Sequence, residues 1–168
     1  MSTTQPHSDH AFRVEYIQPF LNSLHGLFAE HLAGTITVGK PCINPSGTPP
    51  YEVSGVISFT GSVIGRAVVS FPMDVAIKVV KAYLEMDELP EGLLEDCVGE
   101  LANVIVGRAK SDLETYQVII SPPTVITGGT YQIAPQRGAA CVSVPCETSF
   151  GRVQLDISVV KAASGQAA

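Results

Sequence analysis

Residues 96–110 read DCVGELANVIVGRAK, and this stretch says more about the fold than any other. Apolar residues recur within and just before it at the spacing of one helical face: Leu94, Val98, Leu101, Ile105 and Ala109. The pattern predicts an α-helix from about Leu93 to Leu113. A helix with one apolar stripe packs by that side on a sheet or on other helices and exposes its opposite side.

The opposite side of the predicted helix carries a polar stripe. On a helical wheel with about 100° per residue, one narrow sector holds Asp96, Glu100, Asn103, Gly107 and Lys110. Glu100 and Asn103 are three residues apart, so they are neighbours on the helix surface. One carboxylate and one carboxamide make neither a nucleophile nor a metal cage, but they can reach into the active site of another protein.

Three residues weaken this helix. Gly99 and Gly107 each cost about 1 kcal/mol relative to alanine in a helix interior, and Asn103 is also a poor helix former. Unfavourable local choices tend to cluster at working sites, and we expect both glycines to lie on the side of Glu100 and admit a partner surface. The spacing alone also fits an ordinary solvated face, and helical glycines usually serve close packing.

Composition restricts the class of protein. Of the 168 residues, 45% are hydrophobic and 15% are charged, which is typical of a globular domain. We expect one domain at residues 11–161, with flexible tails at 1–10 and 162–168. The net charge of −6 and the lack of a basic run argue against a nucleic-acid partner. No apolar run is long enough to span a membrane, and the polar first residues lack a secretory core, so we expect a cytoplasmic protein.

The cysteines and histidines do not form a recognisable site. Cys42, Cys97, Cys141 and Cys146 form no CxxC pair, and the four histidines lie near the N-terminus without zinc-ligand spacing. We expect reduced thiols and no metal or cofactor bound by the chain itself. G-x-S-x-G, H-E-x-x-H and Walker motifs are also missing, which argues against an unrelated small-molecule enzyme.

The rest of the sequence predicts an α+β fold. A helix over about 17–32 ends near Gly34, a hairpin spans about 53–71, and another helix begins near Asp74. Further strands are expected at 118–121, 125–126, 140–145 and 152–160. Short links between strands favour an antiparallel β-sheet covered on one face by about three helices. The long final strand, Arg152 to Val160, is expected at an exposed edge of the sheet.

Residues 96–110 resemble the signature helix of the CheX-type members of the CheC/CheX/FliY family of bacterial chemotaxis phosphatases. Further segments also resemble that family: EYIQPFL at 15–21, VSGVISF at 53–59, the returning strand at 65–72 and, at 122–128, the Pro-x-Val-Ile-x-Gly segment. These segments occur in the family order and cover roughly residues 12–160. The resemblance implies a CheC/CheX-like fold.

The resemblance also implies a function. Proteins of this type remove the aspartyl phosphate of a CheY-like response regulator, and the family's Glu-x-x-Asn motif maps onto Glu100 and Asn103. Asn103 would orient the hydrolytic water, and Glu100 would pair with the regulator's lysine. The partner-binding residues are then predicted to be Asp96, Gly99, Gly107 and Lys110. Residues 22–26 of the opening helix carry no second motif, so one site per chain is expected.

Three further expectations follow from the resemblance. Mg²⁺ is expected in the partner regulator, and the chain itself is expected to form a homodimer by pairing sheet edges. The alternative is a non-catalytic CheX-like interaction or scaffold domain that binds a signalling or flagellar-switch partner. Phosphate release from a phosphorylated regulator would distinguish the scaffold from the enzyme.

Overall fold

The computed structural model describes residues 14–129, 131–134 and 136–162. The predicted tail at 1–10 lies outside these residues, as does the predicted tail at 162–168 apart from its first residue. The α-helices are α1 (Val14–Gly26), α2 (Met73–Leu84) and α3 (Leu93–Asp112). The strands are β1 (Ile36–Val38), β2 (Cys42–Ile43), β3 (Val53–Thr60), β4 (Val63–Phe71), β5 (Ile119–Ile120), β6 (Thr124–Thr127), β7 (Cys141–Thr148) and β8 (Gly151–Lys161).

The strands form one eight-stranded antiparallel sheet. Its order is β1-β7-β8-β4-β3-β5, with β2 also paired to β7 and β6 also paired to β3. α3 packs on β3, β4 and β6, and α1 and α2 pack beside α3. The apolar residues between these helices and the sheet form the main core, in which Phe20, Phe28, Phe59 and Phe71 are almost completely buried. The predicted antiparallel α+β fold is therefore confirmed.

The final strand is not at an edge of the sheet, contrary to the prediction. β8 lies between β4 and β7 and pairs with both along most of its length. The sheet ends instead in short strands, β1 and β2 on one side and β5 and β6 on the other. Alternation of apolar and polar residues identifies the two faces of a strand, but it does not identify the neighbours of that strand.

β7 also continues past Pro145, where the sequence predicted its end. Pro145 lacks a backbone N–H, so it fits a strand only where no hydrogen bond has to be donated. Its carbonyl oxygen accepts a hydrogen bond of 2.8 Å from the backbone N–H of Gly39. Gly39 lies in the short connection between β1 and β2, where the regular pairing with β7 is interrupted. The missing donor therefore falls at a gap in the ladder.

The first helix ends in a wider turn than predicted. Residues Leu27–His31 form a π-helix after α1, and the left-handed residue beyond it is Ala33 (φ 47°), not Gly34. Gly34 N donates to Phe28 O at 2.8 Å. A Cβ at residue 34 would lie 2.7 Å from Ser149 Oγ, so this glycine allows the β7–β8 turn to approach.

The other face of the sheet carries a second, mainly polar layer. Val56, Val68 and Ile133 form a small apolar cluster there. Asp156 is buried on β8, where its carboxylate accepts hydrogen bonds from Ser143 Oγ and from Gln154 Nε2. Burial raises the pKa of Asp156, and the two hydrogen bonds partly oppose that rise. Among the described residues, no helix is both long and apolar enough to cross a membrane.

Candidate active site

The helix α3 is fixed in the molecule by its apolar face. Val98, Leu101 and Ala109 are completely buried, and Ile105 is almost so. Because these positions recur at helical spacing, burying them directs the rest of the helix outward. The predicted limits agree with the structure to within one residue, since Leu113 is the residue that caps the C-terminus.

The polar stripe lies on the outward side of α3. Glu100, Asp96 and Lys110 are exposed, while Asn103 and Gly107 are partly exposed. A Cβ at residue 107 would meet no atom within 4 Å, so the surface beside Asn103 is open. The structure thus places these five predicted residues along one accessible side of a well-packed helix.

Glu100 and Asn103 are available for an external partner. Neither side chain makes a hydrogen bond or an ion pair within the part of the chain that the structure describes. The Cys97 thiol is buried nearby, and its pKa is raised to about 11 by burial and, to a smaller extent, by the Glu100 charge. The thiol is therefore protonated at neutral pH and is not a nucleophile for this site.

The predicted position of Gly99 is wrong. Gly99 is buried, and a Cβ there would lie 3.3 Å from Val125 Cγ2 and 3.5 Å from Pro123 Cγ. Gly99 therefore faces the segment around β6, whereas Gly107 lies on the open surface. On a helical wheel, Gly99 lies close to Asn103. Only the position of β6 shows that Gly99 faces inward, whereas Gly107 faces outward.

A contact that the sequence did not indicate joins α3 to the end of the first helical segment. Arg108 Nη1 lies 3.0 Å from Glu30 Oε2, and Arg108 Nη2 lies 2.6 Å from His31 Nε2. Arginine only donates hydrogen bonds, so His31 Nε2 is the acceptor in this contact. These contacts connect the residue after Gly107 to the π-helical turn.

Chemically, the site offers one negative charge and one neutral group that both donates and accepts hydrogen bonds. Such a pair can bind a cation and orient a water molecule, but it supplies no nucleophile. A nucleophile for a reaction at this surface would therefore be water or a group of the bound molecule.

Comparison with known proteins assigns the family. Residues 53–147 match the family model described as chemotaxis phosphatase CheX. A protein of Thermotoga maritima named CheY-P phosphatase CheX is 32% identical over 122 residues, which cover 67% of this chain and 78% of that protein. The chain belongs to the CheX family. The predicted family is thus confirmed, and the matched region includes all of α3.

Solved structures agree with the CheX assignment. A chemotaxis protein CheX from Desulfovibrio desulfuricans has a TM-score of 0.79 at 26% identity, covering 87% of this chain and 99% of that one. A CheX from Borrelia burgdorferi, solved in a complex with CheY, BeF₃ and Mg²⁺, has a TM-score of 0.74 at 21% identity, covering 89% and 100%. At that lower identity, the second comparison shows the fold alone.

Proposed function

We propose that this CheX family member hydrolyses the aspartyl phosphate of a CheY-like response regulator, using Glu100 and Asn103. The observation that carries the proposal is the accessible Glu100–Asn103 pair on a helix whose other face is buried. It is supported by the Thermotoga maritima relative, which is named a CheY-P phosphatase, and by the Borrelia burgdorferi protein, which was solved with CheY.

The reaction needs little from this chain. An aspartyl phosphate is an acyl phosphate with a good leaving group, so the missing component is a water molecule held in line with the bond that breaks. The water oxygen attacks phosphorus, the bond from phosphorus to the carboxylate oxygen breaks, and phosphate and a free aspartate result. The Asn103 amide can hold that water because it both accepts and donates hydrogen bonds without carrying a charge.

Glu100 has a different role in the proposal. Its carboxylate would pair with a lysine of the regulator and fix the direction in which α3 enters the regulator's site. An ion pair that closes across an interface also speeds and orients association, and salt weakens that effect. Asp96, Gly107 and Lys110 border the pair and would make peripheral contacts.

The test measures phosphate release from a CheY-like regulator phosphorylated with labelled acetyl phosphate. Asn103→Ala should lower the rate constant kcat by about 10²-fold or more, because orientation of the water is lost. Glu100→Gln should mainly raise KM and reduce its dependence on salt. Matched controls are Asn22→Ala, at an exposed amide on α1, and Glu147→Gln, at an exposed carboxylate on β7.

Two results would contradict the enzymatic proposal. Unchanged phosphate release with Asn103→Ala and Glu100→Gln would exclude this pair as the site. Binding of the phosphorylated regulator without any faster release would favour the scaffold alternative. The proposal also assigns Mg²⁺ to the regulator and no metal to this chain. Chelator-treated protein that is returned to Mg²⁺-loaded regulator should therefore keep its full activity.

We also infer a homodimer that forms by pairing of sheet edges, in the cytoplasm where response regulators act. Both edges of the sheet are short, and each carries exposed apolar side chains: Val38 and Ile43 on one side and Ile119 on the other. Light scattering after size exclusion should give twice the mass of the chain. Ile43→Lys and Ile119→Lys, made separately, would identify the edge, and a monomeric parent protein would refute the inference.

A further inference from the structure

The helix α3 approaches the sheet closely at a glycine in the middle of β3. A Cβ at residue 55 would lie 2.8 Å from Ala102 Cβ and 3.1 Å from Val98 O. Both atoms belong to α3, one to its backbone and one bonded directly to it, so no side-chain rotation could relieve the contact. Glycine within a strand weakens that strand and often marks a close backbone approach. Here the approaching element is the helical turn that carries Glu100.

The same helical turn meets a second surface through Gly99. Its hypothetical Cβ would lie 3.3 Å from Val125 Cγ2, and Val125 is the partner of Gly55 in the β3–β6 ladder. The turn from Val98 to Ala102 therefore packs on the Gly55–Val125 pair. Gly55 on β3 faces Ala102, and Gly99 on the helix faces Val125. The two contacts involve neighbouring strands, β3 and β6, and both limit movement of the turn toward the sheet.

We propose that Gly55 and Gly99 are positioning residues that set the height and tilt of Glu100 and Asn103 above the sheet. This inference rests on the proposed function. Glu100 directly follows Gly99, and Asn103 directly follows Ala102, so any displacement of this turn moves both functional side chains. The remainder of α3 stays anchored through Ile105 and Ala109, so a displacement of the turn tilts the pair instead of translating the whole helix.

The size of the displacement can be worked out from the contact at Gly55. Non-bonded carbon atoms rest about 3.5–4.0 Å apart, whereas the added methyl group would lie 2.8 Å from Ala102 Cβ. Gly55→Ala should therefore move the turn by roughly 1 Å. A misplacement of about 1 Å at a site that works by orientation can lower the rate about 10²-fold.

The decisive experiment moves one methyl group across this contact. Gly55→Ala should lower kcat for phosphate release by about 10- to 100-fold, with a much smaller change in KM. The double variant Gly55→Ala/Ala102→Gly keeps the number of methyl groups constant. It removes the 2.8 Å contact and leaves the milder 3.1 Å contact with Val98 O, so it should recover most of the lost kcat. Thermal unfolding of each variant, recorded alongside, shows that the assays contain folded protein.

Gly99→Ala adds a methyl group to the same turn at its contact with β6, and this variant separates positioning from stability. Alanine favours the helix over glycine, and the new contact at 3.3 Å requires the neighbour to yield by only a few tenths of an ångström. The variant should fold, with a Tm equal to or above that of the parent, and kcat should fall several-fold. Gly129→Ala, where a Cβ would meet no atom within 4 Å, is the matched control with unchanged kcat.

Each outcome of these experiments decides one point. Folded Gly55→Ala and Gly99→Ala variants with parental kcat would overturn the inference, as would a folded double variant that stays as slow as Gly55→Ala. If Gly55→Ala does not fold, the double variant and Gly99→Ala decide in its place. Asn103→Ala is assayed in parallel. Full activity of Asn103→Ala refutes the proposed function, whereas loss of activity there with active glycine variants refutes only the positioning role.

Discussion

The buried face of α3 holds the site in place, and Leu101→Ala tests this directly. Leu101 lies between Glu100 and Asn103 in the sequence, and its side chain is completely buried. The substitution removes three buried carbon atoms, worth about 0.8 kcal/mol each in transfer free energy. A remaining cavity adds to this loss, so the free energy of unfolding should fall by about 3 kcal/mol.

The assay is thermal and urea unfolding of Leu101→Ala beside the parent. For a chain of this length, a loss of about 3 kcal/mol lowers Tm by roughly 10 °C. Val104→Ala is the control, because Val104 is on the same helix but only partly buried, and its loss should be about 1 kcal/mol or less. A loss below about 1 kcal/mol for Leu101→Ala would show that α3 is not held by this face.

Three further predictions follow from other parts of the molecule. Burial raises the pKa of Asp156, so its contribution to stability is full below the unfolded-state pKa and is lost as the pH rises through the folded-state pKa. Asp156→Asn keeps an acceptor for Ser143 but removes the buried carboxyl group that ionises as the pH rises. The variant should therefore raise Tm at pH 8 but barely at pH 4, and an equal change at both pH values would contradict this. Arg108→Ala removes a partly exposed ion pair to Glu30 together with the contact to His31, and it should lower the free energy of unfolding by about 1 kcal/mol, which urea unfolding measures. An aromatic disulfide reagent should quickly label the exposed Cys42 thiol of the native protein. It should label the thiols of Cys97, Cys141 and Cys146 only after unfolding, because burial shields these thiols and raises their pKa.

Local patterns in the sequence were enough to predict the helix that carries the site. The apolar spacing from Leu94 to Ala109 gave the limits of α3 within one residue, and it also gave the exposed side that holds Glu100 and Asn103. The β3–β4 hairpin could be predicted equally well, because a turn at Gly61 separates two alternating runs of residues. In both cases the determining interactions are between residues close together in the chain.

Features that depend on distant segments could not be predicted in the same way. The alternation in β8 was read as that of an edge strand, but Asp156 and Ser158, on the polar side of β8, are buried too. The inward position of Gly99 depends on Val125, which belongs to β6 and is separated from α3 by a short helical turn and by β5. One available signal was missed: Gly55 interrupts an apolar strand, which often marks a close approach by another element.

The central position of β8 has a consequence for how this protein is made. β8 is the last of the eight strands to leave the ribosome, yet it joins β7 to β4 and so connects the two parts of the sheet. The nascent chain can form the β3–β4 hairpin and the helices early, but the sheet closes only after residue 161 has been synthesised. Completion of the sheet therefore waits for β8, and a chain truncated within β8 would leave β7 and its partners unpaired with β4.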